Sequence, residues 1–137
     1  MENKSKILVV DDKGIDRYML GCIFGEEHDV LEASGGQEAI NVITGLSDAL
    51  SIVLLDIIMP GVDGFGVLEY MREKQILDTL PVIIVTDDDS EETTVRAFEY
   101  KVADIVIKPY EPRIIKRRVE NIIELYTYKK KERLYGG

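Results

Sequence analysis

Four short stretches of the chain are unbroken apolar runs rich in β-branched residues: Ile7-Leu8-Val9-Val10, Ile52-Val53-Leu54-Leu55, Val82-Ile83-Ile84-Val85 and Ile105-Val106-Ile107. A strand that is apolar on every residue needs cover on both faces, so these runs predict the inner strands of a sheet sandwiched between helices. A fifth stretch, His28-Asp29-Val30-Leu31-Glu32-Ala33, alternates instead, as an edge strand open to water on one face does. Between the strands, apolar positions recur at helical spacing from Tyr18 to Phe24, Glu38 to Leu46, Phe65 to Met71 and Thr93 to Tyr100, and from Ile114 through Val119, Ile122 and Ile123. Strand followed by helix, five times over, predicts an α/β fold: a five-stranded parallel sheet, doubly wound, with right-handed crossovers laying a helix over each connection.

Turn chemistry supports these boundaries. Gly35-Gly36 opens the second helix, Pro60-Gly61 and Asp63-Gly64 break the chain after the third strand, and Pro109 and Pro112 stand before the last helix. That last pattern runs from about Pro112 to Leu134, longer than one strand needs for cover, and ends in Lys129-Lys130-Lys131-Glu132-Arg133. The expected organisation is one domain over 1–125 and a helical extension over 126–137, read as a linker to an effector module. Tyr126, Tyr128 and Tyr135 are expected to help this helix pack or pair.

Composition narrows the setting. At 137 residues, 45% hydrophobic and 31% charged, the chain has the size and balance of one globular domain. No apolar run approaches the roughly 20 residues of a membrane span, and no signal-peptide core follows the N-terminus, so a cytoplasmic protein without membrane contact is expected. The single cysteine, Cys22, is too little for a disulfide or a zinc site and is expected to be a packed core thiol; the single histidine, His28, is expected at the surface. The net charge of −9 disfavours direct nucleic-acid binding, although residues 111–137 run the other way with 8 Lys/Arg against 4 Asp/Glu.

In an open parallel sheet, ligands bind beyond the carboxyl ends of the strands. Asp11 and Asp12 follow the first strand, Asp56 the third, Thr86 the fourth and Lys108 the last. Carboxylates converging at one edge repel one another unless a cation sits among them, and a set of oxygen donors suits Mg²⁺ better than zinc or copper. With an ammonium and a hydroxyl beside them, such a site suits a phosphoryl group, and an aspartate there can attack phosphorus.

The ordered set Ile7-Leu8-Val9-Val10-Asp11-Asp12, Arg17 and Leu20, Leu54-Leu55-Asp56, Met59-Pro60, Asp63-Gly64, Val85-Thr86 and Lys108-Pro109 resembles the receiver domain of two-component response regulators, over about residues 5–125. The resemblance implies the flavodoxin-like, chemotaxis-regulator type of fold with strand order 2-1-3-4-5. It implies that Asp56 accepts a phosphoryl group from a phosphohistidine of a sensor histidine kinase or a phosphotransfer protein. Asp11 and Asp12, with Asp56 and the backbone carbonyl of Ile58, would hold Mg²⁺; Thr86 and Lys108 would contact phosphoryl oxygens; the Lys108-Pro109 peptide would be cis. Such a domain is a switch and not an enzyme beyond its own phosphorylation and dephosphorylation. Many relatives dimerise through the fourth helix, last strand and last helix. The C-terminal helix resembles linkers to cyclic-dinucleotide synthesis or hydrolysis modules.

Three positions depart from the family pattern. Ile58 puts an apolar side chain where a polar one often helps water attack, which predicts slow loss of the phosphoryl group. Ile105 stands at the usual aromatic switch position. Asp87 replaces a small residue and begins Asp87-Asp88-Asp89-Ser90-Glu91-Glu92, a run that also suits the N-terminus of the fourth helix. A phosphorylation-independent scaffold and a Mg²⁺-dependent aspartyl-phosphate phosphatase remain as alternatives, the second opposed by Ile58 where a general acid would stand.

Overall fold

A computed structural model of the protein describes residues 4–135. Five strands and five helices alternate: β1 (Lys6–Val10), α1 (Gly14–Phe24), β2 (Asp29–Ala33), α2 (Gly36–Leu46), β3 (Leu50–Leu55), α3 (Gly64–Glu73), β4 (Val82–Thr86), α4 (Glu91–Glu99), β5 (Asp104–Ile107) and α5 (Pro112–Tyr135). Every strand pair is parallel and the sheet runs β2-β1-β3-β4-β5, the expected doubly wound order.

The unbroken apolar runs have two faces to fill. Side chains alternate along a strand, so Leu8, Val10, Val53, Leu55 and Ile84 pack with Ile43, Leu68, Met71 and Ala97 of α2, α3 and α4. Ile7, Val9, Ile52, Leu54, Ile83, Val85 and Val106 pack on the other side with Leu20, Phe24, Ile115 and Val119 of α1 and α5. β2 is the edge strand its alternation predicts: Asp29 and Glu32 are exposed, Ala33 is buried.

Helix starts follow local chemistry. Asp63 caps α3 by accepting from the Gly66 N–H at 2.9 Å. Ser90 caps α4 by accepting from the Thr93 N–H at 3.2 Å, and Pro112 begins α5, where a missing N–H costs nothing. α1 begins at Gly14, well before the first apolar position of its predicted pattern, because its opening turn buries no apolar side chain: Ile15 is exposed, and Asp16 and Arg17 are half-buried polar groups.

Two expectations are corrected. Cys22 is exposed. The buried stripe of α1 is Leu20 and Phe24, and a residue two positions from each lies roughly 200° around the helix. His28 is not a surface histidine: its side chain is only 12% exposed and its ring lies against Phe24, centroids 6.1 Å apart.

After Ile122 and Ile123, the last α5 residues packed on the core, the helix turns outward faces to water. Leu125, Tyr128 and Leu134 are exposed, whereas Tyr126 is half-buried beside Lys129, whose ammonium stands 4.7 Å from the ring centroid. The Tyr135 side chain and residues 136–137 of the expected extension lie outside the described residues. Among those described, no helix is long and apolar enough to cross a membrane.

The β3–α3 turn is held tightly. A Cβ on Gly64 would stand 2.5 Å from the Asp56 carbonyl oxygen and 2.7 Å from Ile57 Cα, both backbone atoms, while one on Gly45 in α2 would meet nothing within 4 Å. Gly64→Ala is therefore expected to destabilise the protein by about 1–3 kcal/mol through forced backbone shifts. Gly45→Ala should stabilise it by about 0.5–1 kcal/mol, since alanine loses less backbone entropy in a helix. Urea unfolding midpoints of the two variants check both signs.

Candidate functional site

Backbone bonds continue the sheet past its strand ends and fix the residues that follow. The Asp11 N–H donates to the Ala33 carbonyl at 3.1 Å, the Asp56 N–H to the Val10 carbonyl at 2.9 Å, and the Lys108 N–H to the Thr86 carbonyl at 2.9 Å. Asp11, Asp56, Thr86 and Lys108 thus stand along one edge of the sheet at positions set by its hydrogen-bond ladder. The Lys108-Pro109 peptide is cis, as expected.

Their side chains converge on one ammonium. Lys108 Nζ donates to Asp11 Oδ2 at 2.7 Å, Asp16 Oδ2 at 2.9 Å and Asp56 Oδ2 at 3.2 Å. Lys108, Asp11 and Asp56 are nearly buried, with side-chain exposures of 10%, 3% and 4%. Burial works against the lysine's charge, but the bonds to Asp11 and Asp16 and the field of Asp56 overcome it and hold the ammonium well above its ordinary pKa. Burial raises Asp11 above the usual carboxylate range; the bonds from Lys108 and the Lys13 N–H offset this only in part, and the charge of Asp56 adds to it. Lys108 is therefore firmly charged, and burial is the chief cost of charge on Asp11.

The carboxylates also lie close to one another. Asp11, Asp12 and Asp56 each offer a carboxylate oxygen, all within 4.8 Å of one another, with Asp12 exposed to solvent and the other two buried. Asp11 Oδ1 accepts from the Lys13 N–H at 3.0 Å and Asp56 Oδ1 from the Ile58 N–H at 3.2 Å, so both carboxylates are held in orientation. Arg17 supports the loop from behind, donating to the Asp11 carbonyl at 2.8 Å and to Glu32 at 3.0 Å. An oxygen-only donor set with one open side fits a hard dication that keeps some of its water, which is the character of Mg²⁺.

Thr86 is fully buried at the end of β4, and its hydroxyl accepts from the Asp88 N–H at 3.3 Å. The structure shows no side-chain bond from it to Asp56 or Lys108. The Ile58 side chain is 57% exposed, an apolar group standing beside the carboxylates. Ile105 is half-buried against the α2–α4 side of the core.

The acidic run after Thr86 divides by role. Asp88 accepts from the Ser90 N–H at 3.0 Å and the Thr93 hydroxyl at 2.6 Å and so serves the start of α4. Those bonds hold its carboxyl below the ordinary range. Asp87 makes no such bond; it lies 3.7 Å from Lys13 Nζ, and the two line a cleft of about 350 Å³ with Asp16, Met19, Lys108 and Tyr110. The helix-start reading of the run therefore belongs to Asp88 and Ser90, not to Asp87.

Asp16 is the participant that the sequence pattern passes over. It sits in the first turn of α1, ahead of the first apolar position that marked the helix. Once α1 is known to open at Gly14, a helix leaving the β1 edge must carry an acid in its first turn over that edge, where the helix dipole also favours it.

The model of the response regulator receiver domain family matches residues 7–120. The transcriptional regulatory protein ResD of Bacillus subtilis (strain 168) is 37% identical over 122 residues, 88% of this chain and 49% of ResD, so the chain spans about half the length of this relative. The CheY-like receiver domain protein of Methanospirillum hungatei JF-1 superposes with a TM-score of 0.84 at 22% identity, covering 93% of this chain and 99% of that one. CheY of Borrelia burgdorferi, solved in a complex with CheX, BeF3 and Mg²⁺, gives a TM-score of 0.79 at 25% identity, covering 86% of this chain and 88% of its own. Strand order, the carboxylate edge around one buried lysine and the family match over nearly all of the folded body agree, and the chain belongs to the response regulator receiver domains of two-component systems.

Proposed function

We propose that Asp56 is the phosphoacceptor of this receiver and that the arrangement around Lys108 exists to make that carboxylate phosphorylatable. The observation that carries the reading is the Lys108 ammonium bonded at once to Asp11, Asp16 and Asp56 beside a trio of carboxylate oxygens. Asp11, Asp12 and Asp56, with the Ile58 carbonyl, would hold Mg²⁺. When bound, the ion supplies positive charge that draws in a phosphoryl dianion and stabilises charge on its oxygens during transfer.

The protein's own groups do the rest. One oxygen of Asp56 forms a bond to phosphorus while the bond from phosphorus to the donor's imidazole nitrogen breaks; the electron pair leaves with that nitrogen, which takes up a proton. Two bonds hold the Asp56 carboxylate, from the Ile58 N–H and from Lys108, so little reorientation is needed. Transfer turns one negative charge at Asp56 into two, and Lys108 and the Thr86 hydroxyl are the groups placed along the same edge to take phosphoryl oxygens. The donor is a sensor histidine kinase or phosphotransfer protein.

Output follows from surface placement. Val95 and Phe98 of α4 and Ile107 of β5 are exposed apolar groups on neighbouring elements, a face suited to a second copy once phosphorylation shifts its population. α5 runs beyond the core, with Leu125, Tyr128 and Leu134 exposed. ResD is named as a transcriptional regulator, which lends the expected cyclic-dinucleotide module no support.

Asp56→Asn keeps the side chain's shape and removes its nucleophilic charge. The variant should fold and take up no phosphoryl group from acetyl phosphate in Mg²⁺, as read by intact mass. An Asn variant that gains phosphate at the wild-type rate would move the acceptor elsewhere.

Ile58 gives attacking water no hydrogen-bond partner, so Ile58→Asn should shorten the lifetime of the phosphorylated form by roughly tenfold, about 1.4 kcal/mol of barrier. The decay of the phosphorylated species on phosphate-affinity gels measures it; an unchanged decay removes Ile58 from the account.

Asp87 stands at the cleft mouth, paired loosely with Lys13. Asp87→Ala removes a repulsive carboxylate and frees a lysine, and should speed phosphorylation by acetyl phosphate roughly 3- to 30-fold, or about 1–2 kcal/mol. Added salt should narrow the difference, because both groups are exposed. Equal rates at every salt concentration would assign Asp87 no part in phosphodonor entry.

A further inference from the structure

His28 is an anomaly of a different kind from the crowded edge. Both nitrogens of its ring are buried, and neither has a hydrogen-bond partner; among the described residues they are the only buried side-chain nitrogen or oxygen atoms so placed. A buried polar atom without a partner costs on the order of 1–3 kcal/mol, so a ring with two of them is expected to have a use. Two carboxylates converge on it. Glu120 of α5 brings Oε2 to 3.9 Å from His28 Nε2, and Glu27, adjacent in sequence, offers a third ligand atom, all within 4.8 Å of one another.

We propose that Glu27, His28 and Glu120 form a second metal site, one for a borderline transition-metal dication such as Zn²⁺, separate from the oxygen-only cluster at Asp56. One imidazole nitrogen and two carboxylates are donors that such an ion takes readily and that Mg²⁺, which prefers oxygen, does not favour. With metal–ligand bonds of about 2.1 Å, tetrahedral ligands stand about 3.4 Å apart. The 3.9 Å separation of His28 and Glu120 needs a contraction of only about half an ångström, within the reach of a glutamate side chain. The Lys116 ammonium, 2.6 Å from Glu27 Oε1, already holds that carboxylate through one oxygen. Glu27 and Glu120 are drawn together around this lysine and the ring, and their mutual repulsion falls when a dication enters.

The site's place gives it a meaning. His28 directly precedes β2, so the trio sits at the opposite edge of the sheet from Asp56, where it joins the α1–β2 connection to α5. An ion there fastens the helix that leaves the domain, at the last turns before its exposed extension.

The chain has one histidine, so its ring resonances report this site alone. The test is a Zn²⁺ titration of the whole chain in excess Mg²⁺, followed by the imidazole signals in a long-range ¹H–¹⁵N spectrum. The ring signals should shift and saturate at one equivalent. Glu120→Gln, a half-exposed position that leaves the core untouched, should weaken binding at least about tenfold, as loss of a ligand must cost no less than loss of its supporting partner. Ring signals that stay fixed through a tenfold excess of Zn²⁺, or an unaltered affinity in Glu120→Gln, would overturn the proposal.

Discussion

The edge of this sheet carries more negative charge than it can balance. Asp11, Asp16 and Asp56 meet one ammonium, Lys108, and Asp12 stands beside Asp11 and Asp56. Two like charges about 4 Å apart cost on the order of 4 kcal/mol at the effective permittivity near a protein surface. One lysine shared by three carboxylates leaves a deficit of positive charge; burial is the main reason the pKa of Asp11 is raised, and the charge of Asp56 adds to it. In the function proposed above, a dication would repair that deficit and let a phosphoryl group enter a site that would otherwise repel it. The same constraint explains why Lys108 must be so firmly protonated: without it the carboxylates could not remain buried and charged together.

Everything else in the fold serves to hold those groups still. Parallel strands place their carboxyl ends at one edge, and ladder bonds from Asp11, Asp56 and Lys108 carry the sheet's rigidity one residue beyond each strand. Two apolar layers clamp the sheet from both sides. Gly64, whose missing Cβ lets the β3–α3 turn close against the Asp56 carbonyl, ties the position of Asp56 to the start of a helix. Stability and function thus share their backbone bonds.

Much of this was legible in the residues. The continuous apolar runs announce buried strands because a residue of either parity must be apolar when both faces are covered, and the acids after those runs then fall at one edge by topology. The family resemblance supplied the strand order and the cis Lys108-Pro109 peptide. What stayed hidden was side-chain rotation and the helix turns that bury no apolar residue. Cys22 lies among apolar neighbours in sequence yet on the solvent side of α1; Asp16 lies in a helix turn that buries no apolar residue to reveal it. His28 looks like a strand-flanking surface residue until the packing of α5 against the α1–β2 connection covers its ring. Asp87 and Asp88 are alike in sequence, and only the bonds to Ser90 and Thr93 tell them apart.

The central claim is that Asp56, among four crowded aspartates, is the one that becomes an acyl phosphate. Borohydride reduces an aspartyl phosphate to homoserine and leaves free carboxylates untouched, so the modified position can be read directly by peptide mass mapping. After incubation with acetyl phosphate and Mg²⁺ followed by reduction, the account predicts homoserine at position 56 alone. Homoserine at position 11, 12 or 16, or an unmodified peptide from a protein that had taken up phosphate, would contradict it.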